Sequence, residues 1–404
     1  MEDTGLTDCP MPEPFREKIG ITLSLAWLFF LGFVTRIIFA PLMPAIEQDL
    51  AISHSQAGGL FLMISVGLLT APLCSGLISS RINHRGTLIL SAWLSGIVLI
   101  PFLFVSSIWP LRLLLVVLGF ATGIHLPSAI ATITAQIQKQ DWGKALSVHQ
   151  SAPPLAFVSA PLLATLLLAV FASWRMVLAV WGAAVLISAL VYTLRGKGGD
   201  FPGQIASLDN VKTIVTKPAF WLMVLLFAMA MGGNAGIYAM MPLYLVEERG
   251  MALGSANIII GISQISGLLM VFVGGMITDK VGQKAMMTAT LLLSGIFTVL
   301  IGILTGGWLI AVIFIQPAVL NAFFPAAFGA LSRIAPPHMR SVTNALGPPI
   351  SGLIGGGILP SVIGYLGETR TFSAGMILAG MFILVGPFLM PLLRFGQYDD
   401  QPGC

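Results

Sequence analysis

The chain has 404 residues, of which 56% are hydrophobic and only 9% are Asp, Glu, Lys or Arg, against roughly 25% charged residues in a soluble domain. With a formal net charge of +4 and a mean hydropathy of +0.94, it has too few charges to cover the surface of a soluble fold of this size. A cytosolic enzyme, a nucleic-acid-binding protein and a disordered chain are excluded. So is a membrane β-barrel, whose strands alternate over about ten residues, because the apolar runs here are unbroken over about 20. What remains is an all-α polytopic membrane protein.

Twelve apolar segments follow one another at 19–46, 57–79, 86–106, 111–137, 144–171, 174–194, 219–246, 254–278, 285–304, 308–334, 341–365 and 372–394. At about 1.5 Å per residue, each is long enough to cross roughly 30 Å of hydrocarbon. With both termini cytoplasmic, the cytoplasmic tails and loops hold fifteen Lys and Arg, and the opposite loops hold four: Arg112, Arg175, Arg249 and Arg370. That is a strong positive-inside bias. The longest polar gap divides the segments six and six. The expected organisation is an N-terminal tail 1–18, a six-helix bundle 19–194, a linker 195–218, a second bundle 219–394 and a C-terminal tail 395–404. The first apolar run is too long for a cleavable signal, and no small-residue cleavage site closes it. The three cysteines, Cys9, Cys74 and Cys404, imply no disulfide framework.

The two halves echo each other. The stretch around Gly76 recurs around Gly275, Met43-Pro44 recurs as Met241-Pro242, Pro127 pairs with Pro325, and the Pro-Pro ending at Pro154 pairs with the one ending at Pro349. The offsets cluster between 195 and 199 residues, and both halves start on the same side. The repeat is therefore parallel, about an axis along the membrane normal.

Along the segments, the charge inventory is the most informative feature. All sixteen acids lie in tails, loops or helix ends. The only formal charge deep in a span is Arg36, in the first segment. An arginine there costs several kcal/mol unless it faces water, a dipole or an anion, and no buried carboxylate is available to neutralise it. A mobile anion, gripped bidentately, is one partner; exposed backbone carbonyls or snorkelling to water are the other. His125 in the fourth segment and His149 in the fifth are the only histidines inside spans, and each is a candidate proton carrier or a structural histidine. Pro153-Pro154 and Pro348-Pro349 should kink the fifth and eleventh segments. Asn234 and Tyr238 lie four residues apart in the seventh segment, and Gln316 and Asn321 lie in the tenth. They suit either the hydrogen bonding of a small polar solute or adhesion between helices. Asn234 is the repeat counterpart of Arg36, 198 residues on.

The stretch Gly275-Met-Ile-Thr-Asp279-Lys280-Val-Gly282-Gln-Lys284 fits the G-x-x-x-D-x-x-G-x-[KR] loop of the major facilitator superfamily, and the chain resembles that family. In the first-half copy Ser80 stands in place of the acid and Asn83 in place of the glycine, while Arg81 and Arg85 remain. Phe33-Val-Thr-Arg36 followed by Pro41 and Pro44 is similar to the first helix of organic anion symporters of the superfamily. Pro242-Leu-Tyr-Leu-Val-Glu-Glu-Arg-Gly250 and Ser173-Trp-Arg175 resemble the seventh-helix exit and the sixth-helix start of many members. The resemblance implies twelve transmembrane helices in two pseudo-symmetric six-helix bundles. It also implies alternating access to a central cavity lined by helices 1, 4, 7 and 10, and a gating role for Gly275, Asp279, Lys280, Gly282, Lys284, Arg81 and Arg85. The glycine-rich helix 5 pattern and the helix 1 or 4 acid of its drug exporters are missing, which disfavours export of cationic drugs.

The expected function is secondary active transport of a small organic anion, monocarboxylate-like, with proton symport. Arg36 would anchor the anion, Asn234, Tyr238, Asn321 and Gln316 would orient it, and His125 or His149 would carry the proton. Anion exchange, transport of a nitrate- or cyanate-like ion, efflux of neutral amphipathic compounds and a non-transporting sensor are the alternatives. No nucleotide-binding loop, metal-ligand cluster or nucleophile-base pair is visible, so neither a cofactor, a metal nor enzymatic activity is expected. The partners are an anionic solute, protons and the bilayer, with no nucleic acid, and the protein is expected to be a monomer in the cell's inner (plasma) membrane.

Overall fold

A computed structural model describes residues 15–204, 208–334 and 340–393. The tails with Cys9, Cys404 and Arg394, and the link residues 205–207, lie outside the described residues. Among the described residues, eleven helical stretches are long and apolar enough to cross a membrane. One of these, His54–Phe104, runs for 51 residues, roughly 75 Å at about 1.5 Å per residue, which is over twice the hydrocarbon thickness. Its helix is broken at Asn83 (φ 60, ψ 175), so it makes two crossings and the total is twelve.

Prolines decide where the helices break. Helix 1 is Phe15–Ile37 and Phe39–Leu50, parted at Ile38, three residues before Pro41. Helix 4 is Ile108–Gly123 and His125–Gln136, parted at Ile124, three before Pro127. Helix 10 is Gly306–Asn321 and Phe323–Arg333, parted at Ala322, three before Pro325. Helix 5 is Trp142–Gln150 and Ala152–Phe171, parted at Ser151, three before Pro154. Each proline lacks the N–H that would reach back four residues, and its ring pushes that carbonyl aside. Helix 11 behaves differently. It runs through Pro348-Pro349 (Arg340–Gly352), widens into a π-turn over Leu353–Ile358 and ends as Leu359–Thr369. Helix 7 (Pro218–Met231, then Ile237–Leu243) carries π-turns at Gly232–Gly236 and Tyr244–Glu248.

Helices 2 and 3 divide His54–Ile97 at Asn83. Helix 6 is Trp174–Arg195, helix 8 Leu253–Val281, helix 9 Gln283–Ile303, and helix 12 Phe372–Leu384 with Gly386–Leu389. A short helix, Leu208–Val215, precedes helix 7. The two halves share their special backbone positions. Asn83 takes the left-handed φ that its counterpart Gly282 takes at 86°, and the breaks at Ile124 and Ala322 are 198 residues apart. Outward-facing Leu73, Leu166, Ile187 and Leu269 are each at least 60% exposed, an apolar exterior suited to lipid and not to water.

Small residues set the closest helix crossing. A Cβ on Gly67 would lie 2.1 Å from the Val116 carbonyl, and one on Gly119 would lie 2.1 Å from the Ile64 carbonyl. This is the small-residue packing that lets membrane helices touch backbone to backbone. Gly119→Val should therefore lower stability by about 3 kcal/mol, read as a drop in the thermal midpoint of the purified protein. Gly143→Ala, at a position with open space around it, should leave that midpoint in place.

The halves meet at the distal end, where helix 1 finishes. Asn257 Nδ2 donates to the Pro41 carbonyl (3.1 Å), Ser361 Oγ donates to the Gly58 carbonyl (3.3 Å) and the Ser55 N–H donates to Glu368 (3.1 Å). Helix 2 packs along helix 11 and helix 5 along helix 8. The proximal end, where helix 1 begins, carries the two family-motif loops.

Candidate functional site

Arg36 sits in the last turn before the break in helix 1. Its guanidinium lies 4.0 Å from the centroid of Phe33, over the ring face, a cation–π contact. The side chain is half-buried. It makes no ion pair and no hydrogen bond to a described residue. Five donors in a fixed fork are thus held at mid-span by an aromatic platform alone.

A file of rings runs from this platform in two directions. Towards the second half, Phe33 meets Phe157 of helix 5 at 5.6 Å, and Phe157 meets Tyr238 of helix 7 edge-on at 4.8 Å. The Tyr238 hydroxyl is buried without a hydrogen-bond partner among the described residues. Towards the proximal end, Phe33 contacts Phe29 at 5.9 Å, and Phe29 stacks on His149 at 4.7 Å and on His125 at 5.5 Å. The two imidazoles lie nearly parallel, 5.7 Å apart. His125 Nε2 and both ring nitrogens of His149 are buried with no partner. Buried polar atoms are rarely left so, and three on one histidine pair mark a place where a proton, water or solute can be taken up. The break at Ser151 lies just past His149, whose ring joins those of His125 and Phe29 in one near-parallel cluster.

The other expected residues split between holding and lining. Gln316, 4% exposed, donates to the Gly233 carbonyl at 2.9 Å and reaches Ser294 and Thr298 of helix 9 at 3.4 Å. It ties helix 10 to the π-turn of helix 7. Asn234 Nδ2 donates to Asn321 Oδ1 at 3.1 Å, and Asn321 Nδ2 donates back to the Pro317 carbonyl at 2.9 Å. Asn234, Tyr238 and Gln316 line one cavity of the second half, together with Ser263, Gln264 and Met241. His125 lines a separate cavity of the first half with Phe29, Ser91, Ser95 and Thr122. Arg36 borders neither. Gln264 was missed by sequence reasoning. It is half-buried on helix 8 and bonds to no described residue, and its signal was the same as that of Gln316, a lone amide in an apolar span.

The motif loops lie at the proximal end. Gly282 supplies the positive φ (86°) between helices 8 and 9. Asp279 and Lys280 are exposed, and Asp279 holds no ion pair among the described residues. Gly275 has open space where its Cβ would be, and Lys284 is exposed. In the first half, Arg81 is exposed, while Arg85 contacts Asp200 and the Thr193 carbonyl, both at 3.5 Å. The stretch 199–203 lies along this loop: Arg85 N–H donates to the Gly199 carbonyl, His84 N–H to Phe201 and Gly203 N–H to Ser79. A carboxylate from beyond helix 6 thus faces Arg85 in the copy that lacks its own acid. Among the described residues no cluster of potential metal ligands is found.

Comparison with known proteins agrees with this architecture. The sequence profile described as Major Facilitator Superfamily matches residues 25–347. A probable sulfoacetate transporter, SauU of Cupriavidus necator, is 22% identical and aligns with 97% of this chain and 98% of its own length. The membrane sensor protein UhpC of Salmonella typhimurium is 23% identical over 66% of this chain and 65% of its own. Among solved structures, a bacterial homolog of the human lysosomal transporter Spinster, inward-facing and occupied, superposes with a TM-score of 0.81 at 16% identity, covering 95% of this chain and 97% of that one. The chain belongs to the Major Facilitator Superfamily and is a membrane transporter, not an enzyme.

Proposed function

We propose that the protein is a secondary transporter of a small organic anion, monocarboxylate-like, moved by alternating access with a proton. The observation that carries this reading is the Arg36 guanidinium at mid-span, resting on Phe33 at 4.0 Å with no protein anion beside it. A carboxylate completes its charge and its paired donors at once. Sulfoacetate, named for the Cupriavidus necator relative, is an anion of the same class. Tyr238 and Asn234 supply hydroxyl and amide groups from the second half, with Asn321 holding Asn234 in place. The histidine pair supplies the proton site, because an anion arriving near buried neutral imidazoles favours their protonation. In this reading the proximal end is cytoplasmic, as fifteen cations against four favour. The tails 1–18 and 395–404 and the linker 195–218 then face the cytoplasm. The chain works as a monomer in the inner membrane, and the loop at Gly275–Lys284 latches the proximal end when it closes.

The test is uptake of a panel of labelled carboxylates and sulfonates into proteoliposomes, with and without an inward proton gradient. Uptake of one of them, accelerated by the gradient, is expected. Acceleration only by internal anion would replace symport with exchange. His149→Asn and His125→Asn should each cut gradient-driven uptake about tenfold, within the range of a lost proton-transfer group, while counterflow at equal pH persists. Loss of both activities together would assign these rings to structure.

A further inference from the structure

A second ionisable site lies at the distal seam, away from the histidine pair. Glu47 ends helix 1 only 8% exposed. Its Oε2 is 2.9 Å from His54 Nδ1 at the start of helix 2, and its Oε1 is buried without a partner. The Phe39–Leu50 piece of helix 1 packs on Ile237–Leu243 of helix 7, so the other half covers Glu47, while the His54 side chain remains 29% exposed. His54 touches that half twice, through its ring against Phe372 (4.9 Å) and through its carbonyl, which Gly364 abuts. Two carboxylates of the second half face the pair, Glu247 ending helix 7 and Glu368 ending helix 11. Arg370, two residues past Glu368, is exposed and makes no ion pair with a described residue, and the other charges nearby are engaged. Asp49 is held by Arg175 at 2.6 Å, the Ser373 N–H donates to Glu248 at 2.9 Å, and Arg249 donates to Tyr244 and Ser373. Helix 5 and the start of helix 8 bring no charge to this seam.

We infer that Glu47 and His54 form a proton-binding site on the distal face, and that filling it closes the seam between the halves. In the closed seam a net negative charge on the pair is disfavoured, because Glu47 is held out of water and Glu247 and Glu368 add to the negative field. One proton shared by the pair makes it neutral, whichever partner holds it. With the halves parted, water reaches both groups and solvates a net negative pair, and closure then takes up one proton. Where the open pair already carries that proton, closure takes up none. The closed state binds more protons, so falling pH favours it, by at most tenfold in the closed-to-open ratio per pH unit. This proton sets the conformational equilibrium from the distal side, with or without substrate.

Spin labels at Ser106→Cys and Gly307→Cys, on the distal ends of the two halves, report the seam in the full chain with Cys9, Cys74 and Cys404 replaced by Ser. The protein is measured in phosphatidylcholine–phosphatidylglycerol liposomes between pH 5.5 and 8.5. The short-distance population should rise as pH falls from 8.5 and reach a level region at the acid end. In Glu47→Gln it should dominate at every pH. In His54→Asn the level region should vanish, because the open state then has no imidazole to take the proton and closure must protonate Glu47 itself. A parent distance distribution that ignores pH, or a pH response unchanged in Glu47→Gln, overturns the inference. If Glu47→Gln fails to insert, an unchanged level region in His54→Asn overturns it equally.

Discussion

Replacing Arg36 with Gln is expected to lower carboxylate uptake by about 100-fold, with the protein still folded in the membrane. Removing one partner of a desolvated charge pair costs on the order of 2–5 kcal/mol, and about 2.8 kcal/mol is two decades in affinity. Stability should change little, because the guanidinium makes no ion pair or hydrogen bond with a described residue and a neutral amide is easier to keep at mid-span than a cation. Arg36→Lys retains the charge but loses the planar fork and much of the stacking on Phe33, so about a tenfold loss is expected. The ordering Arg, then Lys, then Gln separates anion binding from a structural role, which would show itself in the thermal midpoint and not in uptake. Substrate protection of that midpoint should likewise disappear in Arg36→Gln. Unchanged uptake in the Gln variant would remove the anion from the proposed function and leave the transporter with an unknown cargo.

Much of this was legible before any coordinates, and the reasons are local. Apolar length gives the spans, and a proline's missing N–H places the breaks at Ile38, Ile124, Ser151 and Ala322 three residues upstream. The G-x-x-x-D-x-x-G loop takes a positive φ at Gly282, and Asn83, a residue type enriched at positive φ, takes one at the matching position of the other half. The site was legible only in part. Arg36 announces itself as the one deep charge, but the clustering of His149, His125 and Phe29 depends on how helices 1, 4 and 5 cross, which no local spacing encodes. Glu47 is instructive for the same reason. Its position near a helix end reads as solvated, yet the second half covers it to 8% exposure. Gln316 reads like a solute ligand, and it both lines the second-half cavity and bonds the Gly233 carbonyl of helix 7, a partner that no local spacing announces.

Gly364→Val and Gly58→Val should each slow transport tenfold or more by holding the distal end apart, without unfolding either half. A Cβ on Gly364 would lie 2.3 Å from the His54 carbonyl oxygen, and one on Gly58 would lie 2.4 Å from that of Pro360. Both contacts are between helices 2 and 11, one from each half, and in both the atom met is backbone, so no rotamer change relieves it. Overpacking of this kind costs about 1–3 kcal/mol, and here it falls on the closed seam alone, since parted halves leave room for the side chains. About 2 kcal/mol shifts the closed-to-open ratio roughly 30-fold. Alternating access needs the seam to close once per cycle, so turnover drops while the half-bundles keep their cores. The labels at Ser106 and Gly307 should then report a closed-to-open ratio lowered about 30-fold at each pH, and adding Glu47→Gln to Gly364→Val should restore part of the short distance, because protonation and packing act on the same equilibrium. Normal uptake by Gly364→Val, with its short-distance population intact, would mean that helices 2 and 11 do not form the closing contact.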